Sequence, residues 1–167
     1  MDTKQNNIHF TLKILFTSFL FFCLDSCQDN AAPFIEAKTS GNLKETRLGE
    51  SNYYLLLPDN FEISEARGKE GQLGYNFIPY DTSSSMFGFV EIEPGSHSIG
   101  GGETDEGLKG FLSSTFLNKK TTWKLYQTET KYFEANTQRG DISAYVSSKS
   151  RNEIDSLIAV IATLTKK

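Results

Sequence analysis

The sequence predicts an α+β domain with a mostly antiparallel sheet of about six strands and two packed helices, at 104–118 and 151–165. The strands are predicted by short segments in which apolar and polar residues alternate, each bounded by Gly, Pro, Asn or Asp. Short turns join neighbouring segments, and strands joined in this way run antiparallel. The helices are predicted by two stretches in which apolar residues recur three and four positions apart.

The predicted strands differ in how many of their faces are apolar. The first, NYYLLL at 52–57, is apolar on both faces, which is typical of a strand that is covered on both sides. At 86–93, Val90 and Ile92 point to one face, and Phe87 and Phe89 to the other. The remaining predicted strands are at 73–78, 122–128, 130–137 and 141–147, with Gly140 in the hairpin turn before the last one, and 61–64 is a short strand or an extended run.

Both predicted helices have end signals as well as apolar stripes. Asp105 and Glu106 favour the N-terminus of the first helix, and Ser150 and Glu153 have the spacing of a capping box at the start of the second. The lysines at 166–167 lie where the dipole of the second helix favours cations. The core-facing stripes are Leu108, Phe111, Leu112, Thr115 and Phe116 in the first helix and Ile154, Leu157, Ile158, Ile161 and Leu164 in the second.

An export signal precedes this domain. Residues 14–24 are predominantly apolar and follow Lys4 and Lys13. As a helix they would rise about 16 Å, too little for a hydrocarbon core of about 30 Å. The basic start, the short apolar segment and the small residue after it therefore predict a signal peptide rather than a membrane span.

The end of this segment resembles the lipobox of bacterial lipoproteins. Leu24 stands at position −3, Ser26 at −1 and Cys27 at +1 of the expected cleavage site. The resemblance implies that lipoprotein signal peptidase recognises Leu24 and Ser26 and that Cys27 becomes a diacylglyceryl-modified N-terminus. The chain then divides into a signal peptide at 1–26, a lipidated N-terminus with a flexible tether at 27–46, and a single α+β domain at 47–167.

The cysteine count and the charge exclude several classes of function. Cleavage removes Cys23 and acylation uses Cys27, so no thiol is left for a disulfide, a nucleophile or a metal site. Cleavage also removes two basic and two acidic residues, so the net charge stays at −4. This balance predicts no nucleic-acid partner and no basic footprint for an anionic membrane surface.

The mature domain resembles the PsbP-like fold. The residues that carry this resemblance are Tyr54-Leu55-Leu56-Leu57-Pro58-Asp59-Asn60-Phe61, a strand followed by Leu-Pro, a turn and an aromatic residue. A closing strand at 141–147 followed by a helix at 151–165 adds to it. The resemblance implies a sheet covered by helices and a binding or scaffold role, and it brings no catalytic residue with it.

The residues offer no catalytic, metal or cofactor site. His97, the one histidine after cleavage, lies between two serines in a glycine-rich loop, which is a poor scaffold for a hydrolase. One histidine and no thiol argue against zinc. Glu103 and its acidic neighbours lack the ligand spacing of a calcium loop, so helix capping is the better interpretation. We therefore expect a protein that is not an enzyme.

Aromatic side chains are the remaining candidates for a binding surface. We expect most of them in the core, and some strand aromatics on the opposite face. The candidates chosen are Phe87, Phe89, Trp123 and Tyr126, from a larger set that also includes Tyr53, Tyr75, Tyr132 and Tyr145.

These observations predict a lipid-anchored protein of the bacterial cell envelope, with the outer membrane, at its periplasmic or surface face, as the first expectation. Its domain is expected to bind a protein partner, and one form of this expectation is an immunity protein that neutralises a toxin. A small-ligand carrier, with a cavity between sheet and helices lined by Trp123 and Tyr side chains, is the alternative, and a hydrolase using His97 is a third hypothesis.

Overall fold

The computed structural model of the protein describes residues 31–67, 72–81, 83–92 and 106–167. These residues form eleven strands and one helix, α1 (Arg151–Ile161). The strands are β1 (Phe34–Ile35), β2 (Leu43–Arg47), β3 (Tyr53–Pro58), β4 (Phe61–Arg67), β5 (Leu73–Pro79), β6 (Phe87–Ile92), β7 (Leu108–Phe116), β8 (Lys119–Gln127), β9 (Phe133–Arg139), β10 (Ile142–Ser148) and β11 (Thr165–Lys166).

The strands form two sheets. Eight of them make one sheet in the order β1-β7-β8-β9-β10-β6-β5-β4, and three make a second sheet in the order β11-β3-β2. All neighbouring strands are antiparallel except β1 and β7. The mostly antiparallel sheet is therefore as predicted, whereas the described residues contain more strands and one helix fewer than predicted.

The two sheets and α1 share one hydrophobic core. Ile154, Leu157 and Ile158 of α1 are fully buried in the same cluster as Leu55 of β3 and Val90 of β6. Burying each such side chain contributes about 1.5–3 kcal/mol. We call the face of the eight-stranded sheet that belongs to this cluster the inner face, and the opposite face the outer face.

The first predicted helix is wrong. Most of its residues form β7, which pairs antiparallel with β8, while residues 104–105 lie outside the described residues. Leu117 and Asn118, between the two strands, have φ angles of 52° and 59°. Two consecutive positive φ angles are typical of a type I′ turn, the turn that best matches the twist of a hairpin. Asn118 therefore reverses the chain instead of ending a helix.

A β-bulge explains why this strand has the apolar spacing of a helix. The register between β7 and β8 shifts between Leu108 and Gly110, and Gly110 has a φ of 145°. The extra residue at a bulge moves the side chains that follow to the other face. Phe111 consequently lies on the outer face, opposite Lys124, while Leu112 is buried opposite Trp123 on the inner face. One extra residue in a strand that otherwise alternates every two residues therefore produced the apolar spacings of three and four that are typical of a helix.

The second predicted helix is confirmed in place but is shorter than predicted. It ends at Ile161, and Thr165–Lys166 pair with β3 as a strand. The Ser150 side chain makes no capping hydrogen bond; the backbone N–H of Ser150 instead donates to Ser148 Oγ at 3.1 Å, and Ser148 Oγ donates to the Glu153 carboxylate. The last lysine does not act on the helix dipole either, since its ammonium lies 4.7 Å from the centre of the Tyr54 ring.

The predicted tether is wrong for much of its length. β2 pairs with β3 over five residues, and β1 pairs with β7 at Ser113 and Ser114. The backbone N–H of Ser113 donates to Pro33 O at 2.9 Å, and its side chain donates to Ala32 O at 3.1 Å. The folded domain therefore includes β1, which leaves residues 28–33 between Cys27 and the first strand.

Candidate binding face of the eight-stranded sheet

Phe87 and Phe89 lie on the outer face, as the alternation along their strand predicts. Gly88, Val90 and Ile92 are buried, whereas Phe87 and Phe89 are only half-buried. Since α1, the helix of the described residues, packs with the inner-face cluster, no helix in the described part of the chain covers the outer face.

The strand register brings Tyr145 to these two phenylalanines. Tyr145 is paired with Phe89, and its ring centre is 6.2 Å from that of Phe87 at an angle of 59° between the ring planes. Tilted aromatic pairs at this distance attract each other beyond the burial of their area. The three rings form one cluster, which we call the aromatic patch: Phe87, Phe89 and Tyr145.

A glycine on the neighbouring strand makes room for the patch. A Cβ atom on Gly74 would lie 2.3 Å from Cζ of Phe89, closer than real Cβ atoms come to other atoms. The Phe89 ring therefore lies directly over the backbone of β5. A glycine at position 74 is therefore needed for the ring to occupy this place.

Polar groups beside the patch are partly removed from water. Burial raises the pKa of Tyr145 to about 12, and its hydroxyl hydrogen-bonds with the side chains of Ser147 and Glu134. Burial also raises the pKa of Glu91, although a weak hydrogen bond from Ser143 Oγ at 3.5 Å opposes the shift. The patch is thus an aromatic surface flanked by two carboxylates, Glu91 and Glu134.

Trp123 does not lie on this surface, and its prediction as a surface residue is wrong; Tyr126 lies on the outer face, paired with Glu134, but is nearly buried there. Trp123 is 0% exposed on the inner face, where its indole N–H donates to Ser114 Oγ at 2.9 Å and its ring lies 6.4 Å from that of Phe116. Tyr126 is 7% exposed. Because 108–116 was predicted as a helix, the strand that supplies the hydrogen-bond partner of Trp123 was missing from the prediction.

Tyr145 is the residue of the patch that sequence reasoning did not select. The signal was present, since Ile142, Ala144 and Val146 alternate with it and are buried. A strand whose even positions enter the core must present Tyr145 on the other face. What the sequence lacked was the pairing of β10 with β6, which brings Tyr145 next to Phe89.

A separate pocket lies between α1 and one end of the sheet. Its volume is about 490 Å³, and it is open to solvent. Glu153 and Ser156 of α1 line it on one side, and Asn60, Ser84 and Met86 line it on the other. The predicted cavity was to be lined by Trp123 and Tyr side chains, and neither lines this one.

Several other predictions concern residues outside the described part of the chain. His97, Leu24, Ser26 and Cys27 lie there, as do Glu103 and Asp105. Among the residues that are described, no group of His, Cys, Asp and Glu side chains is arranged to hold a metal ion. The described residues also contain no helix of the length and apolarity needed to cross a membrane.

Comparison with known proteins identifies a structural neighbour but no family. No protein-family model matches the sequence, and no curated protein matches it. The chain is similar to the solution structure of cyanobacterial PsbP (CyanoP) from Synechocystis sp. PCC 6803, with 10% sequence identity and a TM-score of 0.45 over 78% of this chain and 98% of that chain. The neighbour is of the PsbP-like type that the sequence resembles. A likeness of this size does not extend to function.

Proposed function

We propose that the chain is a lipid-anchored cell-envelope protein whose non-enzymatic domain binds a protein partner through the aromatic patch. The observation that carries the binding role is the cluster of half-buried rings on a sheet face that no described helix covers. Aromatic side chains on a rigid strand lose little conformational entropy on binding and are enriched at the energetic centres of interfaces.

The charges beside the patch indicate the chemistry of the partner. Glu91 follows Phe89 by two residues on the same face of β6, and Glu134 accepts a hydrogen bond from Tyr145. A partner that offers an apolar side chain flanked by Lys or Arg would complement both the rings and the carboxylates. Charge complementarity of this kind selects the partner and speeds its association.

The binding role is tested by crosslinking in the envelope. Full-length protein with Phe87→Ala and Phe89→Ala is compared with wild type and with Tyr80→Ala, which removes an aromatic side chain that is 61% exposed elsewhere. We expect wild type and Tyr80→Ala to recover the same partner in fixed ratio, and the double variant to bind it at least about tenfold more weakly. Equal recovery by all three proteins, or no partner with any of them, would exclude the patch as the binding surface.

The immunity form of this proposal makes a separate prediction. Cells that lack the gene should become sensitive to neighbouring cells of their own strain, because the toxin would no longer be neutralised. Wild-type protein and Tyr80→Ala should restore resistance, whereas the double patch variant should not. Absence of any sensitivity would remove the immunity form while leaving partner binding open to the crosslinking test.

The lipid anchor is tested at Cys27. Two acyl chains suffice for stable attachment, because each buried CH₂ contributes about 0.8 kcal/mol. We expect an alkyne fatty acid to label wild type, and Cys27→Ser to remove the label and leave an unprocessed precursor that keeps residues 1–26. Labelling of Cys27→Ser at the wild-type level would show that the lipobox interpretation is wrong.

A small-ligand carrier remains the second candidate because of the pocket beside α1. Its volume of about 490 Å³ falls in the range of small-molecule sites, and its lining mixes Phe61, Pro79 and Met86 with serines and acidic groups. Native mass spectrometry of protein purified from its own host should detect a bound mass that Met86→Trp, which fills the pocket, removes. A clean unliganded mass would eliminate the carrier.

A further inference from the structure

The pairing of β1 with β7 keeps the domain close to its anchor point. With β1 in the sheet, six residues, 28–33, separate Cys27 from Phe34. An extended chain of this length reaches at most about 24 Å, and Ser113 already holds the carbonyl oxygens of Ala32 and Pro33 at the sheet edge. If Cys27 carries a lipid, β1 therefore lies within a short distance of the membrane surface.

The same edge of the sheet exposes aromatic side chains. The described residues have three exposed large hydrophobic side chains: Phe111 at 48%, Phe34 at 44% and Tyr80 at 61%. Phe34 is paired with Ser113, two residues along β7 from Phe111. Because side chains two residues apart share a face, Phe34 and Phe111 both project from the outer face at this edge.

The charge of the β7–β8 hairpin differs from that of the rest of the chain. Residues 107–127 contain four lysines and no Asp or Glu, which leaves 13 basic and 21 acidic residues elsewhere, a net charge of −8. All four lysines are exposed, and Lys124 is paired with Phe111 on the outer face. Glu106 and Glu129 are the nearest acidic residues on either side of the hairpin in sequence, and Glu36 follows β1. The lysines of the hairpin are Lys109, Lys119, Lys120 and Lys124.

We propose that this edge rests on an anionic phospholipid surface, with Phe34 and Phe111 at the membrane interface and the hairpin lysines against the headgroups. The contact rests on the lipid anchor proposed for Cys27. It fixes the orientation of the domain. The aromatic patch lies on the same face of the sheet but on β10 and β6, which β9 separates from the hairpin. Exposed aromatic rings beside clustered lysines are the combination that adds to a lipid chain at a membrane.

The distribution of charge favours this edge over the aromatic patch as the surface that contacts the membrane. The patch is flanked by Glu91 and Glu134, which an anionic surface would repel. The hairpin itself has four lysines and no acidic residue, although Glu134 is also paired with Tyr126 of β8. The overall net charge of −4 argues against a basic footprint for the chain as a whole, but the hairpin is locally basic. The short tether, the exposed rings of Phe34 and Phe111, and the hairpin lysines all lie at the same edge of the sheet.

The contact is tested with full-length lipidated protein in vesicles of phosphatidylethanolamine and phosphatidylglycerol with brominated acyl chains. Phe34→Trp and Phe111→Trp report on the edge, and Tyr80→Trp is the matched control on another exposed aromatic residue. Native Trp123 is fully buried and supplies a constant background. We expect blue-shifted, quenched emission from the two edge tryptophans and neither effect from Tyr80→Trp.

Charge dependence completes the test. In the Phe111→Trp protein, Lys119→Glu with Lys120→Glu, or vesicles without phosphatidylglycerol, should reduce the quenching, and so should high salt. Equal quenching at all three positions, or none at the edge in protein that floats with vesicles, would overturn the orientation while leaving the anchor in place. Protein that carries no acyl mass and fails to float would overturn the anchor and the orientation together.

Discussion

The two faces of the eight-stranded sheet use the same residue types for different purposes. On the inner face, Trp123 and Phe77 are fully buried in one cluster with α1. On the outer face, Phe87 and Phe89 are half-buried and lie outside that cluster. An aromatic residue in a strand is therefore informative about binding only when the element that covers its face is known.

The largest expected effect distinguishes Trp123 from Phe89. Trp123→Ala should lower the free energy of unfolding by about 3–5 kcal/mol, because it opens a cavity in the core. Phe89→Ala should cost about 1 kcal/mol or less, since its ring is only half-buried and lies outside the core cluster. Urea unfolding gives both values.

Binding should follow the opposite order. Any Trp123→Ala protein that remains folded should bind the partner normally, whereas Phe89→Ala should bind it weakly. A stable, binding-deficient Trp123→Ala protein would restore the sequence-based assignment of Trp123 to the binding surface.

Two glycines provide a second pair of variants on opposite faces. A Cβ on Gly88 would lie 2.0 Å from Cε2 of Phe77, and one on Gly74 would lie 2.3 Å from Cζ of Phe89. Phe77 is 0% exposed and has no room to move, so Gly88→Ala should destabilise the protein by about 3 kcal/mol. Phe89 can tilt outward, so Gly74→Ala should cost about 1 kcal/mol and weaken partner binding by displacing the ring.

Thermal unfolding and the partner assay together check this pair. Equal destabilisation by both alanines would mean that Phe89 is held as firmly as a core residue. Unchanged binding by Gly74→Ala would mean that the position of the Phe89 ring does not matter to the partner.

A hydrogen bond in the core gives a smaller effect. Ser114→Ala leaves the indole N–H of Trp123 buried without its partner, which should cost about 1–3 kcal/mol. The matched variant on the outer face is Ser143→Ala, whose hydroxyl makes a long contact with Glu91 within the described part of the chain and whose loss should cost less than about 1 kcal/mol. A larger loss of stability for Ser143→Ala than for Ser114→Ala, measured by urea unfolding, would contradict this order.

Much of the strand pattern was predictable because it depends on local alternation. Side chains in β6 alternate with a period of two residues. The structure places Val90 and Ile92 on one face and Phe87 and Phe89 on the other, as predicted. Gly140 has a φ of 56° in its hairpin turn, again a local property. The apolar stripe of α1 was also predictable from the sequence, since Ile154, Leu157 and Ile158 are spaced for one helix face and are all buried.

What the sequence did not reveal depends on pairing between distant residues. The bulge at Gly110 interrupts the alternation of β7, so that a strand appeared to be a helix. β1 is two residues long and is held by Ser113, which is far away in sequence, so no local period marks it. The proximity of Tyr145 to Phe87, and of Phe34 to Phe111, likewise follows from strand order.

The smallest expected effect concerns the charge beside the aromatic patch. Burial raises the pKa of Glu91 in the folded protein above its value in the unfolded chain. The folded state therefore binds the proton more tightly, and this contribution to stability is present below the unfolded pKa and lost as pH rises through the folded one. At neutral pH, ionised Glu91 costs stability, and Glu91→Gln removes that cost while keeping the shape of the side chain.

Glu91→Gln should match wild type in stability at about pH 4 and slightly exceed it at about pH 7. The difference between the two proteins isolates this group, because Asp155, whose pKa burial also raises, is present in both. The same variant should weaken binding of a partner with flanking Lys or Arg, and the weakening should diminish at high salt. Urea unfolding at the two pH values and a titration of the partner at two salt concentrations measure these effects. A Glu91→Gln protein that is less stable than wild type at neutral pH would show that the Glu91 carboxylate stabilises the fold. Unchanged affinity of this variant would show that the charge of Glu91 does not contribute to partner binding.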